Sequence, residues 1–337
     1  MIHPIPSGTR DVLPDETREA RAITDALREV FEARGYGEVY TPALEYESML
    51  GRAALAEAQP AYRVFDENGE VLVLRSDMTV PIARVVASRY AAAEPPLRFC
   101  YFAHCYRGVS PARGQPRELL QAGIELIGSP APEGTAEALS VLCRALDATG
   151  LKDYRLGLGD ASLFPALMAS LSVPEDARAG LLDALVMRDF VELEHRIGES
   201  GLAGEAAELL TEVPQRRGGP ELLAEAPAEA AEAVTGLRQV LELLDADVAA
   251  RVIVDLGLVR NIGYYTRAVF DVYDPALGAP LGGGGRYDEL LGRFGRRLPA
   301  VGFALGIDRL HLALAGEERG TGALLAGASA IASEAAR

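Results

Sequence analysis

The sequence predicts an α+β fold: a mostly antiparallel sheet flanked by helices, with a helical insertion. Three stretches predict it. LRFCYFAHCYR (Leu97–Arg107) and ELLQAGIELIG (Glu118–Gly128) read as two partnered strands. Val252–Tyr273 reads as an apolar strand, a turn at Asn261, Ile262 and Gly263, and a β-rich run leaving it. Between these, 161–250 is rich in Ala, Leu and Glu and broken at Pro174, Pro214, Gly218–Pro220 and Pro227, the pattern of several short helices packed on themselves.

The chain of 337 residues is long enough for a large core. The expected division is a discontinuous core at 1–160 and 251–316, the helical insertion at 161–250, and a flexible Gly/Ala-rich tail at 317–337. The net charge of −16 argues against a broad basic face for nucleic acid. No apolar run is long enough to span a bilayer, and MIHPIPSGTRD lacks the layout of a signal peptide, so a cytoplasmic chain without membrane contact is expected. Cys100, Cys105 and Cys143 have no metal-type spacing and the four histidines do not cluster. No metal site and no cofactor are expected.

Taken in order, Pro14 opens a helix whose early Asp15, Glu16 and Glu19 suit its dipole. Ile23, Leu27, Val30 and Phe31 form its apolar stripe, and Gly35 ends it. GYGEVYTPALEY reads as a strand broken at Pro42, and Val71–Arg75 as a short strand. SDMTVPIARVVASRY is a helix capped by Asp77 or Thr79, with Pro81 in its first turn. Leu97–Arg107 is apolar on both faces, as in a buried central strand. In its partner, Gln121, Gly123 and Glu125 share one face, a polar floor with room for a ligand. Tyr154–Leu158 is a strand. Leu181, Leu182, Leu185 and Val186 suit one apolar helix face in the insertion; Leu237, Val240, Leu241 and Leu244 suit another. Neither carries chemistry.

Arg260 sits at the turn, followed by Tyr264 and Tyr265. Alternation along a strand would send one tyrosine into a pocket and pack the other. A cation beside a phenol suits a small ligand with a carboxylate and a polar ring. A turn-rich loop then leads to Gly282–Gly285, where four glycines permit close backbone approach but no P-loop context follows. Val301, Phe303 and Leu305 alternate as a strand, and a helix begins at Asp308.

SGTRDVLP (Ser7–Pro14), LVRNIGYYTRAVF (Leu258–Phe270), GGGGRYDELL (Gly282–Leu291) and AVGFALGIDRL (Ala300–Leu310) resemble the histidyl-tRNA synthetase family. They are most similar to its shorter paralogues, the regulatory subunits of ATP phosphoribosyltransferase. The resemblance runs to about Leu314 and implies a class II aminoacyl-tRNA synthetase-like fold. It implies self-association as a dimer around Pro42. It places Asp77, Thr79 and Gln121 at the amino end of a bound histidine, Glu125 and Tyr265 at the imidazole, Arg260 at the carboxylate, and Tyr264 and Tyr287 beside them. Arg107 completes this histidine-binding set of nine; it and Arg309, which lies outside the set, also match the arginines that synthetases direct at ATP.

Departures from the synthetase pattern set the functional expectation. Val109 stands where synthetases hold adenine with a glutamate, and Gln115 replaces a loop arginine, though Arg113 and Arg117 are near. Losing one charged contact of this kind costs roughly 1.5–3 kcal/mol. Gly263 replaces the usual acidic residue before the tyrosine pair. An anticodon-gripping domain is expected after Gly316 in a synthetase, and only the tail follows, so no tRNA is expected. The resemblance therefore implies a non-catalytic regulatory subunit of the first step of histidine biosynthesis. It would partner the short-form catalytic subunit in a hetero-oligomer and take histidine as feedback effector. The competing expectation is a histidine-activating ligase, since Arg107 and Arg309 are retained.

Overall fold

The structure is a computed structural model describing residues 4–52, 61–108, 116–260 and 263–319. Val109, Arg113, Gln115 and the tail from 320 lie outside the described residues.

Helix α1 (Pro14–Ala33) starts on its proline with Asp15 and Glu16 in the first turn, and buries Ile23, Leu27 and Phe31. Gly35 follows at φ +78°, a left-handed turn that a side chain resists. The break at Pro42 separates two strands with different destinations. β1 (Gly37–Glu38) runs parallel to β5 (Leu97–Tyr106) in the large sheet. β2 (Leu44–Tyr46), after which comes α2 (Glu47–Arg52), joins a small antiparallel sheet with β3 (Arg63–Phe65) and β4 (Val71–Leu74). Helix α3 (Thr79–Arg89) leads back to β5.

From β5 the chain turns into β6 (Glu118–Ile127), α4 (Glu133–Ala148) and β7 (Arg155–Asp160). The insertion follows as α5 (Leu163–Ser170), α6 (Glu175–Val186), α7 (Phe190–Glu199), α8 (Glu205–Glu212), β8 (Arg217–Gly218), α9 (Ala231–Leu243) and α10 (Ala246–Ala249). Then come β9 (Val252–Asp255), β10 (Ala268–Tyr273), β11 (Gly282–Arg286), α11 (Leu290–Arg293), β12 (Ala300–Gly306) and α12 (Ile307–Arg319).

Among the described residues, nine strands form the main sheet in the order β1-β5-β6-β12-β11-β10-β7-β9-β8. Only β1–β5 and β7–β9 are parallel among the described residues, so the sheet is mostly antiparallel as expected. Two details go beyond the sequence reading. The four glycines that follow the turn-rich loop form the strand β11, paired on one side with β10 and on the other with β12. The insertion is not wholly helical: Arg217 pairs with Asp255, so β8 covers the open edge of β9.

Burial follows the predicted stripes. Helices α1 and α9 bury Leu27, Phe31 and Leu237 in one cluster with the sheet, and α4, for which the sequence reading named no stripe, adds Leu139 and Leu142. A second cluster joins α3 (Ile82, Val86) to Tyr101, Tyr264 and Tyr287, and it forms one wall of the site below. Among the described residues no helix is long and apolar enough to cross a membrane, and no group of three or more His, Cys, Asp or Glu could hold a metal ion. All three cysteines are buried and free.

Candidate functional site

Four elements converge on a cavity of about 210 Å³. The N-terminus of α3 supplies Asp77 and Thr79. Arg107 directly follows β5, and β6 supplies Gln121. The segment between β9 and β10 brings Arg260, Tyr264 and Tyr265, and Tyr287 follows β11. Eight of the nine sequence-nominated residues therefore line one space.

Glu125 is the ninth, and it stands behind the wall. It is 1% exposed; Thr79 Oγ1 donates to its Oε1 at 2.6 Å, and the Tyr287 hydroxyl donates to its Oε2. The neighbouring strand makes room for it with Gly302, where a Cβ would strike Glu125 Oε2 and the Ile124 carbonyl.

Asp77 caps α3, as its position predicts: Oδ1 accepts from the Val80 N–H at 3.0 Å. Its other oxygen, Oδ2, is buried with no hydrogen-bond partner. Arg260 carries the complementary orphan. Its Nη1 is held by Asp271 and the Phe270 carbonyl, while its Nε is buried and unpartnered. Gly283 permits this, because a Cβ there would collide with Arg260 Nη1 and Asp271 Oδ1. An unpaired buried acceptor and donor cost free energy until something fills them.

Both tyrosines of the pair border the cavity, against the expectation that one would pack away. Regular alternation does not apply to them, since strand β10 begins only at Ala268. Tyr264 stands edge-on to Tyr265 and to Tyr287, with ring centroids 5.2 and 5.6 Å apart. The room expected over Gly123 is filled by Tyr101 from β5. Arg286, next to Tyr287, is structural: it is 1% exposed and bonds Asp288 and the Ser129 carbonyl.

Burial sets the electrostatics. It pushes the Glu125 carboxyl up to about 8, opposed by the bonds from Thr79 and Tyr287. Burial also raises Asp77, opposed by the Val80 N–H and by the Arg107 charge. Tyr265 is pushed to about 12 by burial. Arg309 lines the same cavity; burial first, then the Arg107 charge, lowers its pKa. Arg107, Arg260 and Arg309 thus converge, and Asp271 neutralises only Arg260 directly.

Sequence reasoning missed Tyr101 as a wall and Asp271 as the partner of Arg260. A signal for the second existed: Asp271 is a lone carboxylate inside the apolar run AVFDVY.

Comparison with known proteins finds relatives over most of the chain. The family model described as histidyl-tRNA synthetase matches residues 8–310. The ATP phosphoribosyltransferase regulatory subunit of Symbiobacterium thermophilum is 43% identical, over 92% of this chain and 79% of that protein. Its counterpart in Moorella thermoacetica is 40% identical over 92% of this chain and 81% of that protein. Among solved structures, an ATP phosphoribosyltransferase regulatory subunit/histidyl-tRNA synthetase from Bacillus halodurans aligns at TM-score 0.84 and 33% identity. That alignment covers 93% of this chain and 84% of the other. The histidyl-tRNA synthetase of Nostoc, 21% identical at TM-score 0.77 over 92% of this chain and 74% of its own, shares the fold. With its histidyl-tRNA synthetase domain, the chain belongs to the family of ATP phosphoribosyltransferase regulatory subunits.

Proposed function

We propose that this regulatory subunit binds free histidine in the cavity and, with the short-form catalytic subunit of ATP phosphoribosyltransferase, forms a cytoplasmic hetero-oligomer that runs the first step of histidine biosynthesis. Histidine shifts that complex to a less active state, which needs a coupling of only about 1–3 kcal/mol. The chain itself carries no catalysis and engages no tRNA. It pairs with a second copy around Pro42, where Tyr40, Tyr46 and Phe65 are 82%, 51% and 74% exposed.

One observation carries the reading: the two buried orphans have opposite polarity. Asp77 Oδ2 takes an ammonium, and Arg260 Nε donates to a carboxylate. Together they match the two ends of an α-amino acid. Thr79 and Gln121 support the ammonium end. The three-tyrosine wall faces the ring, with Glu125 behind it holding the Tyr287 hydroxyl; an imidazole offers one donor and one acceptor to such phenols. Mixing the chain with the short catalytic subunit tests this. Activity and its inhibition by histidine should both depend on the chain. Unchanged phosphoribosyl transfer would end the proposal.

A histidine-activating ligase is the second reading, favoured by Arg107 and Arg309 lining one cavity. Histidine-dependent pyrophosphate exchange would support it, and a flat assay with folded protein would dismiss it.

A further inference from the structure

A second cavity, of about 410 Å³, opens where β7, β8, β9 and the end of β10 meet. Three guanidiniums line it: Arg155, Arg188 and Arg217. Arg188 and Arg217 share one oxygen of Asp255, at 2.7 and 3.0 Å. Arg155 donates to the adjacent Tyr154 carbonyl, at 3.2 Å. Counting Asp274 as well, three cations face two carboxylates. In a chain of net charge −16, such a cluster is out of character.

Arg188 adds two observations. Its Nη1 is buried with no hydrogen-bond partner. Its backbone lies at φ +53°, just past the end of α6, where glycine is the usual residue. Holding an arginine in that strained position places a donor fork at the cavity. Ile253 and the Tyr273 ring supply an apolar wall beside it.

We infer that this cavity is a binding site for a phosphate-bearing small molecule, held by Arg155, Arg188 and Arg217. Guanidinium forks match phosphate oxygens in pairs, and one phosphate offers enough of them for all three. The site also has a route to the first cavity. The Tyr273 hydroxyl donates to Asp271 Oδ2 at 3.2 Å, and Asp271 holds Arg260. Occupancy should therefore shift histidine affinity, a consequence that rests on the functional reading above.

The test is calorimetry on the full chain with inorganic phosphate, pyrophosphate and citrate. Arg107→Ala serves as background, so that the first cavity has lost an arginine. Phosphate or pyrophosphate should bind there, and adding Arg155→Ala should weaken binding tenfold or more. Arg155 is exposed and donates to a backbone carbonyl, so its loss should leave the thermal melt unchanged. Absence of binding, or indifference to Arg155→Ala, overturns the site; tighter citrate binding overturns its assignment to phosphate. For the coupling, phosphate should change histidine affinity in the natural chain and not in Tyr273→Phe. If phosphate binds and histidine does not, the functional reading fails and the phosphate site stands.

Discussion

Tyr287 donates its phenolic hydrogen to Glu125, and neither residue is more than 2% exposed. Tyr287 lines the first cavity and Glu125 lies behind it, where burial pushes the carboxyl up to about 8. Below that value the carboxyl holds a proton.

That proton makes stability depend on pH. The Glu125 pKa is raised in the fold, from 4.5 to about 8, so folding takes up a proton between those values. The associated stability is full below pH 4.5 and is lost as pH rises through about 8. Urea midpoints measured from about pH 5 to about pH 8 should fall, and Glu125→Gln should flatten the slope. An unchanged slope in the variant assigns the dependence elsewhere.

Arg260 and Asp271 form a pair with side chains only 21% and 12% exposed. Arg260→Met leaves Asp271 without its cation and should cost about 3 kcal/mol of stability. Adding Asp271→Asn should recover most of that loss in a thermal melt. Histidine binding should stay weak in both variants, which separates the ligand contact from the structural one.

Gly302 is the space that Glu125 occupies. Gly302→Ala forces a methyl group against Glu125 and the Ile124 backbone, so β12 must shift from β6. The expected cost is about 1–3 kcal/mol, read as a lower melting temperature. A melt equal to that of the natural chain would contradict this packing.

Asp77→Asn keeps an oxygen for the Val80 N–H and removes the charge offered to an ammonium. Stability should change little, since asparagine also caps helices well. Histidine affinity should fall roughly tenfold or more, the scale of one charged hydrogen bond.

Much of this was legible in the chain. The β5–β6 pairing showed because Leu120, Ala122, Ile124 and Leu126 alternate with Gln121, Gly123 and Glu125. Asp77 showed as a cap because proline and small polar residues mark helix starts. Strand β11 was illegible for the opposite reason: glycine has no side-chain pattern and low strand preference, and here the neighbours' bulk decides. The placement of both tyrosines on one cavity was hidden because a turn does not alternate. Glu125 behind the wall, and Arg260 bound to Asp271, depend on partners set by strand register, which a single sequence does not state.

The most direct measurement is calorimetry of the purified chain against histidine and, separately, ATP. Histidine should bind with about one site per chain, histidinol and free imidazole should bind far more weakly, and ATP should give little heat. Firm ATP uptake with no response to histidine would contradict the account.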